Sequence, residues 1–516
     1  MAIAHAIGRA ISTPEQSLTT LVLIVSCTVR DQEQYLLYGL TIAIYRVYLH
    51  PLSKYPGPKV AAITSLWYAG SHIRGTTPND ILHLHNKYGP IVRIAPEELS
   101  YVNPNAWKEI YGHRVAGEPE LAKDEKYHAG FGREQSLLNA DREYHGELRR
   151  MLAYGFSDRA LRAQENVIQE YVNLLMAKLQ EHGKGGTEPL DMVKWYNFFT
   201  FDIIAYLSYG ESFHCLESST MHTWVELFFG VARYHAFYQA MGRLPRFLHG
   251  IYKHWYIPKD AISNQKLELE LSIAKVRHRL NSADPDFPDF MFKLIEAHRS
   301  GKMTMNQLNL NAKILMAAGS ETTATLLSGV TYYLMAYPET LRKLTGEIRG
   351  KFKSASDITM ISVNSCKYLS ACLEEALRIY PPSPATHARY IPAGGMAIDG
   401  HYVPEDTAVG IAINAICNSP LNFKDPEKFI PERWTGEASG YENDKREAAQ
   451  VFSLGPRNCI GRNLAYLEMR LVIANIVWRF DLEDVTPGVW RDQKIYMVWD
   501  KPPLMVKLKS VREKQG

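Results

Sequence analysis

The residues whose reading decides the fold are Phe452-Ser453-Leu454-Gly455-Pro456-Arg457-Asn458-Cys459-Ile460-Gly461. They set one cysteine in a loop shaped by two glycines and a proline, and the loop runs straight into a helical pattern from about Arg462 to Arg479. A cysteine at a helix start meets free backbone N–H groups and the positive end of the helix dipole, and Arg457 adds a nearby cation. Both favour the thiolate. Gly455 and Gly461 leave room for the backbone to approach something flat and bulky. A thiolate presented in this way suits an axial iron ligand; the rival is an inert cysteine buried in a turn.

Five upstream segments bear on that reading. Met305 to Ala336 is an uninterrupted helical pattern ending before Pro338, roughly 48 Å long at about 1.5 Å per residue, enough to cross a domain. Within it, Ala317-Ala318-Gly319-Ser320-Glu321-Thr322-Thr323 places small residues before an acid–alcohol pair. A mid-helix glycine costs about 1 kcal/mol relative to alanine. Its missing side chain leaves room for a ligand, and a threonine hydroxyl can distort the helix and hold a water. Glu375-Ala376-Leu377-Arg378 sets an acid and a guanidinium at i, i+3, and Pro431-Glu432-Arg433-Trp434 supplies a second guanidinium. Alone, these read equally as surface charges. So do the cations of His145-x-x-x-Arg149-Arg150 and of Pro384-Ala385-Thr386-His387-Ala388-Arg389.

The pattern Phe452-x-x-Gly455-x-Arg457-x-Cys459-x-Gly461 matches in full the haem-binding signature of the cytochrome P-450 family. The chain resembles that family from Tyr55-Pro56-Gly57-Pro58 to about residue 485. Phe201-Asp202-Ile203-Ile204 and Gly210-Glu211-Ser212-Phe213 look like its fungal secondary-metabolite members. The resemblance implies a mainly α fold with small β-sheets (α+β). It implies haem b, iron protoporphyrin IX, between the long central helix and the cysteine loop. Cys459 would be the iron's proximal ligand, Phe452 would pack near the sulfur, and Gly461 would close the loop. Arg457 would pair with a propionate, joined by Arg149, Arg389 and His145, which stands where the family more often has tryptophan; His387 is a further candidate. Thr322 would hydrogen-bond oxygen and Glu321 would relay protons from solvent, with Ala318 and Thr325 on the distal wall. Glu375, Arg378 and Arg433 would form a buried network fixing the cysteine loop, since an apolar site buries such charges only when paired.

The implied activity is that of a haem-thiolate monooxygenase, inserting one atom of O2 into a hydrophobic small molecule by hydroxylation or epoxidation. Electrons would come from NADPH through a separate NADPH-cytochrome P-450 reductase, because no G-x-G-x-x-G follows a strand pattern here. Arg462, Arg470 and Lys445 are candidate reductase contacts, or ordinary surface charge. One alternative is a reductase-independent haem-thiolate isomerase or dehydratase; such relatives tend to lose the acid–alcohol pair, which is present here. Another is a haem sensor, which would be expected to carry an output domain.

Composition agrees with a large globular enzyme. Of 516 residues, 46% are hydrophobic and 22% charged, which excludes disorder over most of the chain. No 20–50-residue period points to a solenoid. With 58 basic against 55 acidic residues, the net charge of +3 argues against a nucleic-acid partner. Six scattered cysteines with no C-x-x-C pair suit a reducing compartment rather than a disulfide scaffold or structural zinc site.

The N-terminus differs. Leu18 to Val29 and Tyr35 to Tyr45 are largely apolar runs, broken by Arg30, Asp31 and Glu33, with Arg46, His50, Lys54 and Lys59 behind them. Residues 1–49 are expected to be a membrane anchor, residues 50–59 a proline-rich rigid hinge, and residues 60–516 the catalytic domain. That placement suggests the endoplasmic reticulum membrane, with the catalytic domain cytoplasmic. The aromatic stretch 224–256 reads either as core or as a pocket lid touching the bilayer. Tyr88-Gly89-Pro90 predicts a turn into a strand, and residues 385–412 predict short hairpins.

Overall fold

The computed structural model describes residues 34–114, 120–126, 134–245, 248–256, 259–281 and 289–511. Its axis is the central helix, Met305–Ala336, whose bounds are those predicted. A capping box starts it. The Thr304 hydroxyl accepts from the Gln307 N–H, and the Gln307 side chain accepts from the Thr304 N–H. It ends where Pro338 opens the next helix, Pro338–Lys351. Leu308, Leu315, Leu326, Leu327, Val330 and Leu334 are buried along it, facing the helix Met192–Tyr209 and the C-terminal helix Arg462–Arg479. Gly319 serves this packing and not a ligand: a Cβ there would come 2.6 Å from Ile204 Cδ1. The room expected at Gly319 is taken by a neighbouring helix.

Ten short strands accompany the helices among the described residues: β1 (Ile91–Ala95), β2 (Glu98–Tyr101), β3 (Ala122–Lys123), β4 (Leu190–Asp191), β5 (Arg389–Tyr390), β6 (Met396–Ile398), β7 (His401–Val403), β8 (Ala408–Ile411), β9 (Phe480–Asp484) and β10 (Met505–Ser510). They form a five-stranded sheet ordered β1-β2-β8-β5-β3, a three-stranded sheet β4-β10-β9 and the hairpin β6-β7. β2 and β8 pair in parallel across a long excursion of chain. The β6–β7 turn is Asp399-Gly400, both at positive φ, as tight hairpins require. The chain is thus mainly α with small sheets, as expected.

At the N-terminal end, Leu18 to Val29 lies outside the described residues. Residues 34–44 are helical, with Tyr35, Leu36, Leu37, Tyr38 and Leu40 exposed. No helix among the described residues is long and apolar enough to cross a membrane. The proline-rich stretch is packed into the body: Leu52 and Tyr55 are buried, and the Arg93 N–H donates to the Pro56 carbonyl at 2.8 Å. In the aromatic stretch, Trp224, Phe237 and Tyr252 are core, whereas Ile251, Trp255 and Tyr256 are exposed. Phe228, Phe229 and Phe247 lie outside the described side chains.

Candidate functional site

The cysteine loop is shaped by backbone. Gly455 sits at φ +72°, where a Cβ would come 1.9 Å from the Tyr111 carbonyl oxygen. Its missing side chain lets one stretch of protein backbone lie on another, which corrects the expectation that it makes room for a ligand. At Gly461 the nearest atoms to a built Cβ are Phe156 at 3.8 Å and Cys459 Sγ at 4.0 Å, which leaves that side open. A short turn over Gly455–Arg457 returns the chain so that the Cys459 N–H donates to the Phe452 carbonyl at 2.9 Å. The Phe452 ring packs 5.3 Å from that of Tyr466.

Cys459 is exposed, whereas Cys215, Cys366, Cys372 and Cys417 are buried. The crowding loop nonetheless pushes its thiol above the ordinary value by desolvation, against the pull of the Gly461 N–H and of the Arg149 and Arg462 charges. The cations near the sulfur are therefore Arg149 and Arg462. Arg457, expected to steady the thiolate, is turned away: its Nε and Nη2 donate to Glu120 Oε1 at 2.8 and 2.5 Å, and its Nη1 donates to the Ala140 carbonyl. Arg149 instead grips the residue before the cysteine, with Nη1 2.5 Å from the Asn458 carbonyl and Nη2 on the Asn458 side chain.

Around Glu120 lies a cluster of basic side chains. His145 is pushed down to about 4 and Lys123 down to about 6, each by burial and then by neighbouring cations that include Arg457. His387, beside Arg389 and Lys123, is pushed down to about 3 by burial. Arg389 is buried and lies 5.2 Å over the Tyr111 ring. A cavity of about 480 Å³ opens beside Glu120, His145, Arg149 and Pro456. One carboxylate among this many basic side chains leaves donors for more acceptors than Glu120 supplies, and it fits a group that brings anionic carboxylates of its own.

The central helix carries a second accessible point. Ala318 is exposed in the middle of the helix, between buried Met316 and buried Ser320, and Thr322, one turn on, is half-buried. The Thr322 hydroxyl donates to the Ala318 carbonyl at 2.7 Å. Glu321 is buried. Its Oε1 accepts from Lys501 Nζ and from the Thr325 hydroxyl at 3.2 Å, while Oε2 has no partner. Thr325, expected on the distal wall, is instead fully buried within this cluster, because Lys501 Nζ donates to it at 2.8 Å. An accessible thiol, an accessible mid-helix alanine and a cluster of basic side chains together fit a flat, dianionic, metal-bearing group such as haem.

Glu375, Arg378 and Arg433 meet with no exposed side-chain surface. Arg378 donates to both Glu375 oxygens at 2.9 and 2.8 Å, and Arg433 Nε to Oε1 at 3.2 Å. The Trp434 indole and the Ile430 N–H complete the shell of the carboxylate. The guanidiniums also bind the carbonyls of Cys417, Asp425, Pro426 and Lys428, and so staple the segment that leads to the cysteine loop.

Four residues of this site were not found by sequence reasoning: Lys501, Glu120, Asn458 and Trp434. Lys501 lies 180 residues from Glu321 with no local pattern to mark it. Asn458 and Trp434 sat inside quoted motifs, but only packing shows what their side chains hold.

Glu468, on the C-terminal helix, is buried beside Thr323 and pushed up to about 8 by burial. The folded state therefore binds more protons than the unfolded state between about pH 4.5 and 8, so this group's contribution is intact below that window and lost across it. Glu468→Gln is expected to melt within a degree or two of wild type at about pH 5 and progressively above it by about pH 8. Parallel melting curves at every pH would contradict this.

Comparison with known proteins converges on one family. The family model described as Cytochrome P450 matches residues 56–508. The chain is 43% identical to the cytochrome P450 monooxygenase cpaH of Aspergillus oryzae, over 96% of this chain and 94% of that one. It is 42% identical to the trichothecene C-15 hydroxylase of Fusarium sporotrichioides (92% and 96% covered) and 42% identical to the averantin hydroxylase of Dothistroma septosporum (92% and 89% covered). A cytochrome P450DA heme domain of known crystal structure superposes with a TM-score of 0.70 at 18% identity, covering 89% of this chain and 97% of that one, a likeness of fold.

Proposed function

The chain belongs to the cytochrome P450 family and is a haem monooxygenase of it, and from that premise we propose that it hydroxylates a bulky hydrophobic secondary metabolite with electrons from NADPH delivered by a separate reductase. The observation that carries this reading is the pairing of an accessible Cys459 in its signature loop with an accessible Ala318 in mid-helix, one turn before Thr322. Bound haem supplies the activation of O2. The protein supplies the rest. Cys459 would ligate the iron, Arg149 holds the ligand loop through Asn458, and Arg457, His145 and Arg389 would receive the propionates. Thr322 and Glu321 handle protons. Their retention, with Glu321 held in place by Lys501 and Thr325, favours oxygenation over a reductase-independent rearrangement.

The names of the trichothecene C-15 hydroxylase and averantin hydroxylase relatives support hydroxylation. A cavity bordered by Tyr68, Thr386 and, from the aromatic stretch 224–256, Gln239 and Arg243 offers room for part of a substrate. The exposed apolar residues of 35–49, with Ile251, Trp255 and Tyr256, support docking on the cytoplasmic face of the endoplasmic reticulum membrane. For the reductase, Arg462 and Lys445 are exposed. Arg470 is not available in the same way: it is half-buried, bonded to Asn364 and packed 4.9 Å over Tyr466.

The test is reconstitution with NADPH, a cytochrome P450 reductase and a panel of polycyclic polyketides and terpenoids. Product is expected only with all components and O2. Arg462→Glu is expected to slow NADPH-driven haem reduction about tenfold at low salt, and less at high salt. Turnover without NADPH or reductase would overturn the reading in favour of rearrangement.

A further inference from the structure

Glu321 is held by a residue that no motif marks. Lys501 and Glu321 side chains are each 4% exposed, and Thr325 bonds to both, closing a three-membered cluster. A buried carboxylate with no countercharge is strongly disfavoured, so the contact with Lys501 holds the acid in place. The cluster uses only one carboxylate oxygen. Oε2 is buried without a partner, next in sequence to Thr322. Lys501 itself stands just ahead of β10 between Asp500 and Pro502, both exposed, so one side chain connects the acid to the surface. The other titratable group near Glu321 is Tyr380, which burial keeps neutral and whose hydroxyl donates to Gln493 at 2.7 Å. Glu468 lies behind the neighbouring Thr323.

We propose that Lys501 is a positioning residue for proton delivery: with Thr325 it clamps Glu321 Oε1 and leaves Oε2 free to exchange protons with the Thr322 turn. The inference rests on the monooxygenase reading above and adds to it a residue from the far end of the chain.

The test uses the haem-loaded full chain with reductase, as wild type, Lys501→Met and Lys501→Arg. Lys501→Met is expected to keep the thiolate-type carbon monoxide spectrum and the NADPH-driven rate of haem reduction under carbon monoxide, a step that needs no proton relay. Its O2-dependent NADPH consumption is expected to fall about tenfold, with a larger solvent isotope effect in D2O. Lys501→Arg restores both. In the infrared, Lys501→Met gains a protonated carboxyl band that is absent from Lys501→Met/Glu321→Gln, a readout independent of turnover. If Lys501→Met does not fold, Thr325→Val loosens the same clamp and is expected to show the same changes, smaller. Unchanged NADPH consumption and isotope effect in a folded variant would overturn the inference. A wild type lacking the thiolate spectrum would instead overturn the reading on which it rests.

Discussion

Glu375→Ala is expected to produce a chain that does not hold haem and is largely insoluble. The substitution leaves Arg378 and Arg433, neither with any side-chain exposure, sharing a pocket without the carboxylate between them. Removing one partner from a buried ion pair costs about 3–5 kcal/mol, against a total stability of about 5–15 kcal/mol. Both guanidiniums also anchor carbonyls between Cys417 and Lys428, so the damage passes to the segment feeding the cysteine loop. The contrast is Glu339→Ala, which breaks a pair whose side chains are 74% and 73% exposed and is expected to cost under about 1 kcal/mol. Thermal melts and soluble yield of the two variants decide the matter. Equal, small losses would contradict the structural role given to the triad.

Gly455→Ala carries the second large effect. The added Cβ would meet the Tyr111 carbonyl oxygen at 1.9 Å, a backbone atom with nowhere to swing, at a φ of +72°. Left-handed backbone costs about 1–2 kcal/mol for an L-residue, and overpacking about 1–3 kcal/mol more. The loop has to shift. Since it is closed by the Cys459 N–H on the Phe452 carbonyl, the shift reaches the sulfur. The expected result is protein that remains soluble but has lost its thiolate-type carbon monoxide spectrum. Gly394→Ala, at φ +87° with nothing within 4 Å of the added Cβ, carries strain without collision and is expected to leave the spectrum intact.

Much of the fold was legible in the sequence because local signals and packing agree there. Met305–Ala336 has a capping residue, an unbroken helical pattern and a proline just past its end, and it forms over those bounds. The cysteine signature was legible because its glycines and proline encode a loop by themselves. What its glycines contact was not, since Tyr111 and Ile204 reach Gly455 and Gly319 through tertiary packing. The same holds for charges. Glu375 and Arg378 sit at i, i+3 and could be paired on paper, whereas Arg457 finds Glu120, and Glu321 finds Lys501, across hundreds of residues. A cation's partner is set by topology, so the sequence ranked Arg457 beside the sulfur where Arg149 and Arg462 stand.

The central claim is that Cys459, as thiolate, would ligate the iron of a haem bound against its loop. The measurement that tests it most directly is the reduced carbon monoxide difference spectrum of the purified protein beside Cys459→Ala. A Soret band at about 450 nm that disappears in the variant is the predicted result. A band at about 420 nm in a folded, haem-loaded wild type, unchanged by the substitution, would contradict it.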